Sequence, residues 1–206
     1  MPEAKPLLSV EECVLVLLAA GKSERFGDIR SKLDQDFLGS PLGLHVVVAL
    51  EDMPFRRRLA IIDGLELPYD RHGFEVIRNP DRDLGMASSV KLGIDRAVEL
   101  GARSVLIALA DMPRVTAAHI YRLFDASTDE RSVVASSDGH DPRPPALFGS
   151  DQFGCLLGLD GDAGARELVR GGRHVITTPA ELIDVDTAEE LEELRRVVHD
   201  PRARVR

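Results

Sequence analysis

The sequence predicts a three-layer α/β/α domain built on a mostly parallel sheet. Two observations lead there. Short β-branched or leucine-rich runs alternate with helical patterns along the whole chain, which is how a parallel sheet covered on both faces is written. The chain is also 206 residues long, 44% hydrophobic and 30% charged, a globular profile with enough length for one sizeable core.

Strands are expected at residues 14–18, 59–62, 74–77, 105–108, 133–136 and 175–177. Ser88 or Ser89 is expected to cap a helix that runs to Leu100, with Val90, Ile94 and Val98 on its inner face and Gly101 as the stop. Thr116 is expected to cap a second helix that buries Ile120, Leu123 and Phe124. A third starts at Thr187, where Glu190 completes a capping box and Leu191, Leu194 and Val198 face inward. A short helix opens at about Asp162 and stops near Gly171. No internal repeat or linker interrupts this pattern. Residues 11–198 therefore read as a single domain, with 1–10 and 199–206 as flexible tails.

The net charge of −9 argues against a general nucleic-acid binder, which needs a basic surface. The longest apolar run, residues 13–20, is too short to span a membrane, and Glu11 and Glu12 precede it where a signal peptide would carry positive charge. Cys13 and Cys155 have no metal-ligand spacing and read as reduced, buried thiols of a cytoplasmic protein. The six histidines show no ligand spacing either.

In open α/β sheets ligands sit at the carboxyl ends of strands, which directs attention to LLAAGKSERFG, residues 17–27. A phosphate-binding P-loop would need glycine at position 16, where Val16 stands; the dinucleotide pattern fails because Gly21 is followed by Lys22, Ser23 and Glu24. What remains is small residues, Ser23, Gly27 and the cations Arg25 and Lys32, a set that can let backbone amides approach phosphates and neutralise them. The loop alone is equally compatible with an ordinary glycine-rich turn.

Leu18-Ala19-Ala20-Gly21, Ser23, Arg25, Gly27 and Lys32 together resemble the signature Leu-Ala-Ala-Gly-x-Ser-x-Arg-x-Gly…Lys of the MobA-like nucleotidyltransferases. Asn79 with GMASSVKLG (85–93), LADMP (109–113), PPALF (144–148), GDAGAR (161–166) and DVDT (184–187) resemble further blocks of that family, in the same order. Six motifs in register cover about residues 14–198 and are most similar to the molybdenum cofactor cytidylyltransferases. The resemblance implies a Rossmann-like fold of the nucleotide-diphospho-sugar-transferase type. It also implies transfer of CMP from CTP to molybdopterin with release of pyrophosphate, and a molybdoenzyme as prospective client.

In that reading Arg25, Lys32 and Asp111 are catalytic. Leu18, Ala19, Ala20, Gly21, Ser23, Asn79, Gly85, Met86, Ser88 and Ser89 hold the nucleotide, and Asp162, Gly164, Ala165 and Arg166 hold the acceptor. Nucleotidyl transfer calls for cations, backbone amides and a metal on carboxylates. Asp111, just past a strand, is an isolated hard-oxygen ligand suited to Mg²⁺, with Mn²⁺ as the alternative ion. Asp186, at the end of an extended segment at 182–185, is the second carboxylate or else a cap for the last helix, and alternation turns Asp184 away from it. Ala-Gly after Leu-Ala accompanies CTP in the family, so Ala20 favours cytosine over a purine.

Two features depart from the family pattern. Asp28-Ile29-Arg30-Ser31 lengthen the loop before Lys32, and Arg143-Pro144-Pro145 replace a common Gly-His-Pro. The alternatives are transfer to another phosphate acceptor, including GTP use or a sugar or alditol phosphate, and a molybdenum cofactor carrier without turnover.

Overall fold

The computed structural model describes residues 8–20, 31–64, 67–81, 84–160 and 164–199. Its centre is strand β1 (Cys13–Ala19), all seven residues of which are buried. Cys13, Leu15, Leu17 and Ala19 enter one apolar cluster, while Val14, Val16 and Leu18 enter another. A strand buried on both faces reads as a continuous hydrophobic run, which is why this segment lacks the alternation of a half-exposed strand.

On one side of β1 lie β4 (Arg57–Ile62) and then β5 (Glu75–Arg78), both parallel to it. On the other side the order is β6 (Ser104–Leu109), β8 (Pro142–Gly149), β7 (Val133–Ser137) and β9 (Arg173–Ile176). Only β8 runs antiparallel to its neighbours in this seven-stranded sheet. The expected mostly parallel three-layer domain is therefore the observed one. One face carries α1 (His45–Leu50) and α3 (Ala117–Asp125); the other carries α2 (Met86–Glu99), α4 (Phe153–Leu157) and α5 (Gly164–Gly171). Helix α6 (Ala188–His199) buries Leu191 and Leu194 in a third cluster with Phe37, Leu42 and Val185.

Strand β8 has no counterpart in the expected pattern, because Pro142, Pro144 and Pro145 read as breakers. The pairing shows how they are accommodated. Ala146 to Gly149 pair with β6, whereas Pro142 and Arg143 pair only with β7, beyond a register shift at Ala135/Ser136. Missing proline N–H groups therefore fall outside the doubly paired half. A tight hairpin, β2 (Asp36–Phe37) with β3 (Ser40–Pro41), is also unanticipated; Leu38 and Gly39 form its turn at φ 53° and 86°. Helices α1 and α4 are too short to show a period in the sequence.

Helix α2 lies close against β1. A Cβ at Gly93 would come within 2.4 Å of Val16 Cγ1, so this glycine sets the approach of helix to strand. Thr116 caps α3 as expected, accepting the His119 N–H at 3.1 Å. Cys13 is buried, but Cys155 is exposed, contrary to expectation. Its neighbours Phe153 and Leu156 supply the buried side of α4 instead.

Candidate functional site

From the carboxyl end of β1 the chain returns through β4 and β5 on one side, then crosses by α2 to β6 on the other. That change of direction opens a crevice at the ends of β1 and β6. The Ala110 N–H donates to the Leu18 carbonyl at 3.1 Å and holds the two strand ends together.

Lys32 begins a 3-10 turn (Lys32–Asp34), where Ser31 Oγ accepts the Leu33 N–H. The lysine is only 5% exposed. Its Nζ donates to Asp111 Oδ2 at 2.6 Å and to Asp186 Oδ1 at 2.8 Å, so one ammonium joins residues from three distant parts of the chain. Asp111 leaves the end of β6. Asp186 immediately precedes the capping box of α6, in which Thr187 Oγ1 accepts the Glu190 N–H and Glu190 Oε2 accepts the amides of Asp186 and Thr187. Thr187 is thus the cap, and the Asp186 carboxylate is directed to Lys32. Residues 183–186 form no strand; the expected extended segment instead follows a 3-10 turn (Pro179–Leu182), and the Val185 N–H donates to the Asp111 carbonyl at 3.0 Å. That bond sends Asp186 towards Lys32 and leaves Asp184 beside Arg143, 3.8 Å away.

Burial pushes the Asp111 carboxyl above its ordinary range, and Lys32 opposes the shift. Burial also pulls the Lys32 ammonium down, but the charges and hydrogen bonds of Asp111 and Asp186 outweigh it, so its pKa is raised. Asp111 Oδ1 is buried with no hydrogen-bond partner among the described residues. The Tyr69 hydroxyl is another such atom; burial raises its pKa and the Asp111 charge adds to the effect. Nothing in the sequence around Tyr69 signalled a buried phenol, since its neighbours Pro68 and Asp70 read as a turn.

A second cluster forms where β5 meets α2. Asn79 Nδ2 donates to Ser88 Oγ and Ser89 Oγ, each at 2.8 Å, while Asn79 Oδ1 accepts the Asp81 N–H. Neither serine caps α2, contrary to expectation. The N-cap is Gly85 at φ 85° and ψ −175°, a conformation open essentially to glycine alone, and Ser88 Oγ donates back to its carbonyl. Asn79 thus ties both hydroxyls to the strand end, and Met86 stands exposed beside them.

Of the other expected site residues, Leu18 and Ala19 are buried in the strand and Ala20 is half-buried at its end. Gly21, Ser23, Arg25 and Asp162 lie outside the described residues. Gly164 opens α5, on which Ala165 is half-buried and Arg166 exposed. No hydrogen bond or ion pair joins Arg166 to Lys32, Asp111 or Asp186 among the described residues.

A histidine-serine pair elsewhere is structural. Arg122 can only donate, so His119 Nδ1 accepts from it and Nε2–H is left for Ser136 Oγ at 2.7 Å, while that hydroxyl donates to the Pro145 carbonyl. Burial lowers the His119 pKa, which keeps the ring neutral.

A mostly parallel sheet with a cation and two carboxylates gathered at its switch point defines an α/β protein of nucleotidyltransferase type. The chain belongs to the MobA-like NTP transferase domain family, whose signature matches residues 15–178. It is 32% identical over 200 residues to the purine catabolism protein PucB of Bacillus subtilis (strain 168), a match covering 89% of this chain and 96% of PucB. Its fold is similar to that of Rv0371c from Mycobacterium tuberculosis H37Rv, with a TM-score of 0.76, 22% identity and coverage of 91% of this chain and 100% of that one. Rv0371c has also been solved as a complex with manganese; that structure has a TM-score of 0.70 at 21% identity, covering 89% and 98% of the two chains. A nucleotidyl transferase from Methanothermobacter thermautotroptrophicus has a TM-score of 0.74 at 18% identity, covering 89% and 96%. No helix among the described residues is long and apolar enough to cross a membrane.

Proposed function

We propose that this NTP transferase moves CMP from CTP to the phosphate of molybdopterin and releases pyrophosphate. The observation that carries the transfer chemistry is the cluster of buried Lys32 with Asp111 and the half-exposed Asp186 at the switch point. An acceptor phosphate oxygen is already anionic. It forms the new bond to the α-phosphorus while the bond to the bridging oxygen of the β-phosphate breaks, and the electron pair leaves on pyrophosphate. No proton and no covalent protein intermediate are needed, so the protein contributes alignment and charge neutralisation.

The residues present suit a divalent metal. Among the described residues one lysine lies between two carboxylates, and Asp111 Oδ1, buried with no partner among them, is a hard oxygen of the kind Mg²⁺ or Mn²⁺ prefers. Asp111 and Asp186 would hold the ion, which when bound polarises the phosphoryl group under attack. Lys32 keeps both carboxylates in place and, with Arg25, neutralises the triphosphate. Asn79 sets Ser88 and Ser89 for contacts with the nucleoside. Ala20 supports the choice of cytosine, because its methyl narrows the space beside the loop. The family motifs support molybdopterin as the acceptor, with Asp162 and the start of α5 to Arg166 on the acceptor side.

The test is pyrophosphate release with each NTP, Mg²⁺ and molybdopterin. CTP is expected to be the best donor and to raise the melting temperature more than GTP, since ligand that binds only the folded state stabilises it. Ala20→Gly should narrow that difference. Asp111→Asn should slow release on the order of a hundredfold or more. A wild-type rate from this variant would remove Asp111 from the mechanism. A larger thermal shift with GTP would overturn the base assignment, and no release with any NTP would overturn the transfer itself.

A further inference from the structure

Arg143 replaces the glycine of the common Gly-His-Pro and lies in the half of β8 that pairs only with β7, opposite Ser136. Its guanidinium is loosely held. Nη2 is 3.4 Å from Asp138 Oδ2, Nη1 is 3.8 Å from Asp184 Oδ1, and Nε is buried with no partner among the described residues. Asp138 Oδ1 is engaged by the amides of His140 and Asp141, whereas Asp184 makes no hydrogen bond among the described residues. Arg143, Asp138 and Asp184 line a cavity of about 300 Å³ whose apolar wall includes Leu182, Ile183 and Leu194.

The position of this cavity is tied to the transfer site. Asp184, Val185 and Asp186 are consecutive; Val185 is bonded to the Asp111 carbonyl, Asp186 reaches Lys32, and Asp184 reaches Arg143. The cavity-lining Asp184 therefore stands two residues from Asp186, a member of the cluster where the acceptor oxygen must react.

Charge decides what it can hold. Glu190 and Glu193 line it as well, so carboxylates outnumber the single arginine and a phosphate would be repelled. A neutral, planar group is suited instead: one that offers a carbonyl or ring nitrogen to the guanidinium, N–H donors to a neighbouring carboxylate, and a ring face to the apolar wall. A pyrimidinone edge has that pattern of donors and acceptors. We propose that Arg143 and Asp184 form an acceptor-recognition subsite that reads the pyrimidinone edge of a fused bicyclic ring such as a pterin. This deepens the proposed transfer to molybdopterin and rests on it for the identity of the ring.

Binding of 6-hydroxymethylpterin, followed by its fluorescence without nucleotide or turnover, tests the subsite directly. Wild-type protein is expected to bind it, and Arg143→Ala and Asp184→Asn are each expected to weaken binding about tenfold to a hundredfold, the worth of a hydrogen bond to a charged group. Arg143→Lys should recover only part of the loss, because a point charge lacks the planar fork. The shift in melting temperature produced by CTP should be the same in the variants as in the wild type, which also reports that they fold; Asp184 is half exposed and tolerates the change. No pterin binding to wild-type protein, or binding by both variants as tight as the wild type's, would overturn the subsite. Two further outcomes separate it from the function. If molybdopterin is cytidylylated and its KM is unchanged in Arg143→Ala, the subsite falls and the function stands. If pterin binding depends on Arg143 but molybdopterin is never cytidylylated, the function falls and the subsite stands.

Discussion

Replacing Lys32 by Met keeps length and apolar stem but removes the charge that compensates Asp111. In the native protein one Asp111 oxygen is buried with no partner among the described residues and the other is held by Lys32 at 2.6 Å. Removing one member of a buried pair typically costs about 3–5 kcal/mol when the remaining charge stays ionised. Asp111 can escape by taking a proton, at about 1.4 kcal/mol per unit of pKa displacement. The sign follows. Asp111 already titrates above its ordinary value in the fold, and the variant raises it further. A raised acid keeps its stability below its unfolded pKa, about 3.9, and loses it as pH climbs through the folded value. The loss in Lys32→Met should therefore be small near pH 4 and reach about 3 kcal/mol or more at pH 8. Urea denaturation at several pH values, followed by circular dichroism, measures it. Asp111→Asn in the same chain should restore most of the loss at pH 8, because no buried charge is then left behind. A loss that is independent of pH, or one below about 0.5 kcal/mol at pH 8, would refute the coupling.

Gly93→Ala should destabilise despite alanine's better helix propensity: its Cβ would meet Val16 Cγ1 at 2.4 Å, and overpacking costs about 1–3 kcal/mol against a gain of about 1. Gly154→Ala, with nothing within 4 Å, should be neutral or stabilising in the same urea titration, and equal effects at both sites would contradict the packing account. Tyr69→Phe removes a buried hydroxyl that has no partner among the described residues, so its unfolding free energy from urea titration should match or exceed that of the wild type by up to about 1 kcal/mol; a clear loss would mean that the hydroxyl is satisfied in solution.

Local patterns determined much of this protein from the sequence alone. The run around Val14 to Leu18 specified a strand buried on both faces, because nothing but apolar side chains occurs there. The caps at Thr116 and Thr187 were legible because a cap is chosen by residues within four positions of it. The order of motifs identified the family, and the strand pattern placed Asp111 just past the end of β6. What depends on distant contacts was settled only by the tertiary structure. The proline-rich β8 is a strand because its prolines lie outside the stretch, Ala146 to Gly149, that pairs with β6, a matter of register between segments far apart in the chain. Ser88 and Ser89 turned out to be partners of Asn79 rather than caps, since Gly85 could adopt the backbone geometry that starts α2 one turn earlier. The capping reading of Asp186 gave way to Thr187, and a bond across 154 residues ties the Asp186 carboxylate to Lys32, which also holds Asp111 through a contact that no sequence period encodes. Charge compensation in a buried crevice is a property of three dimensions: Lys32 is held there because both carboxylates need it, and neither lies near it along the chain.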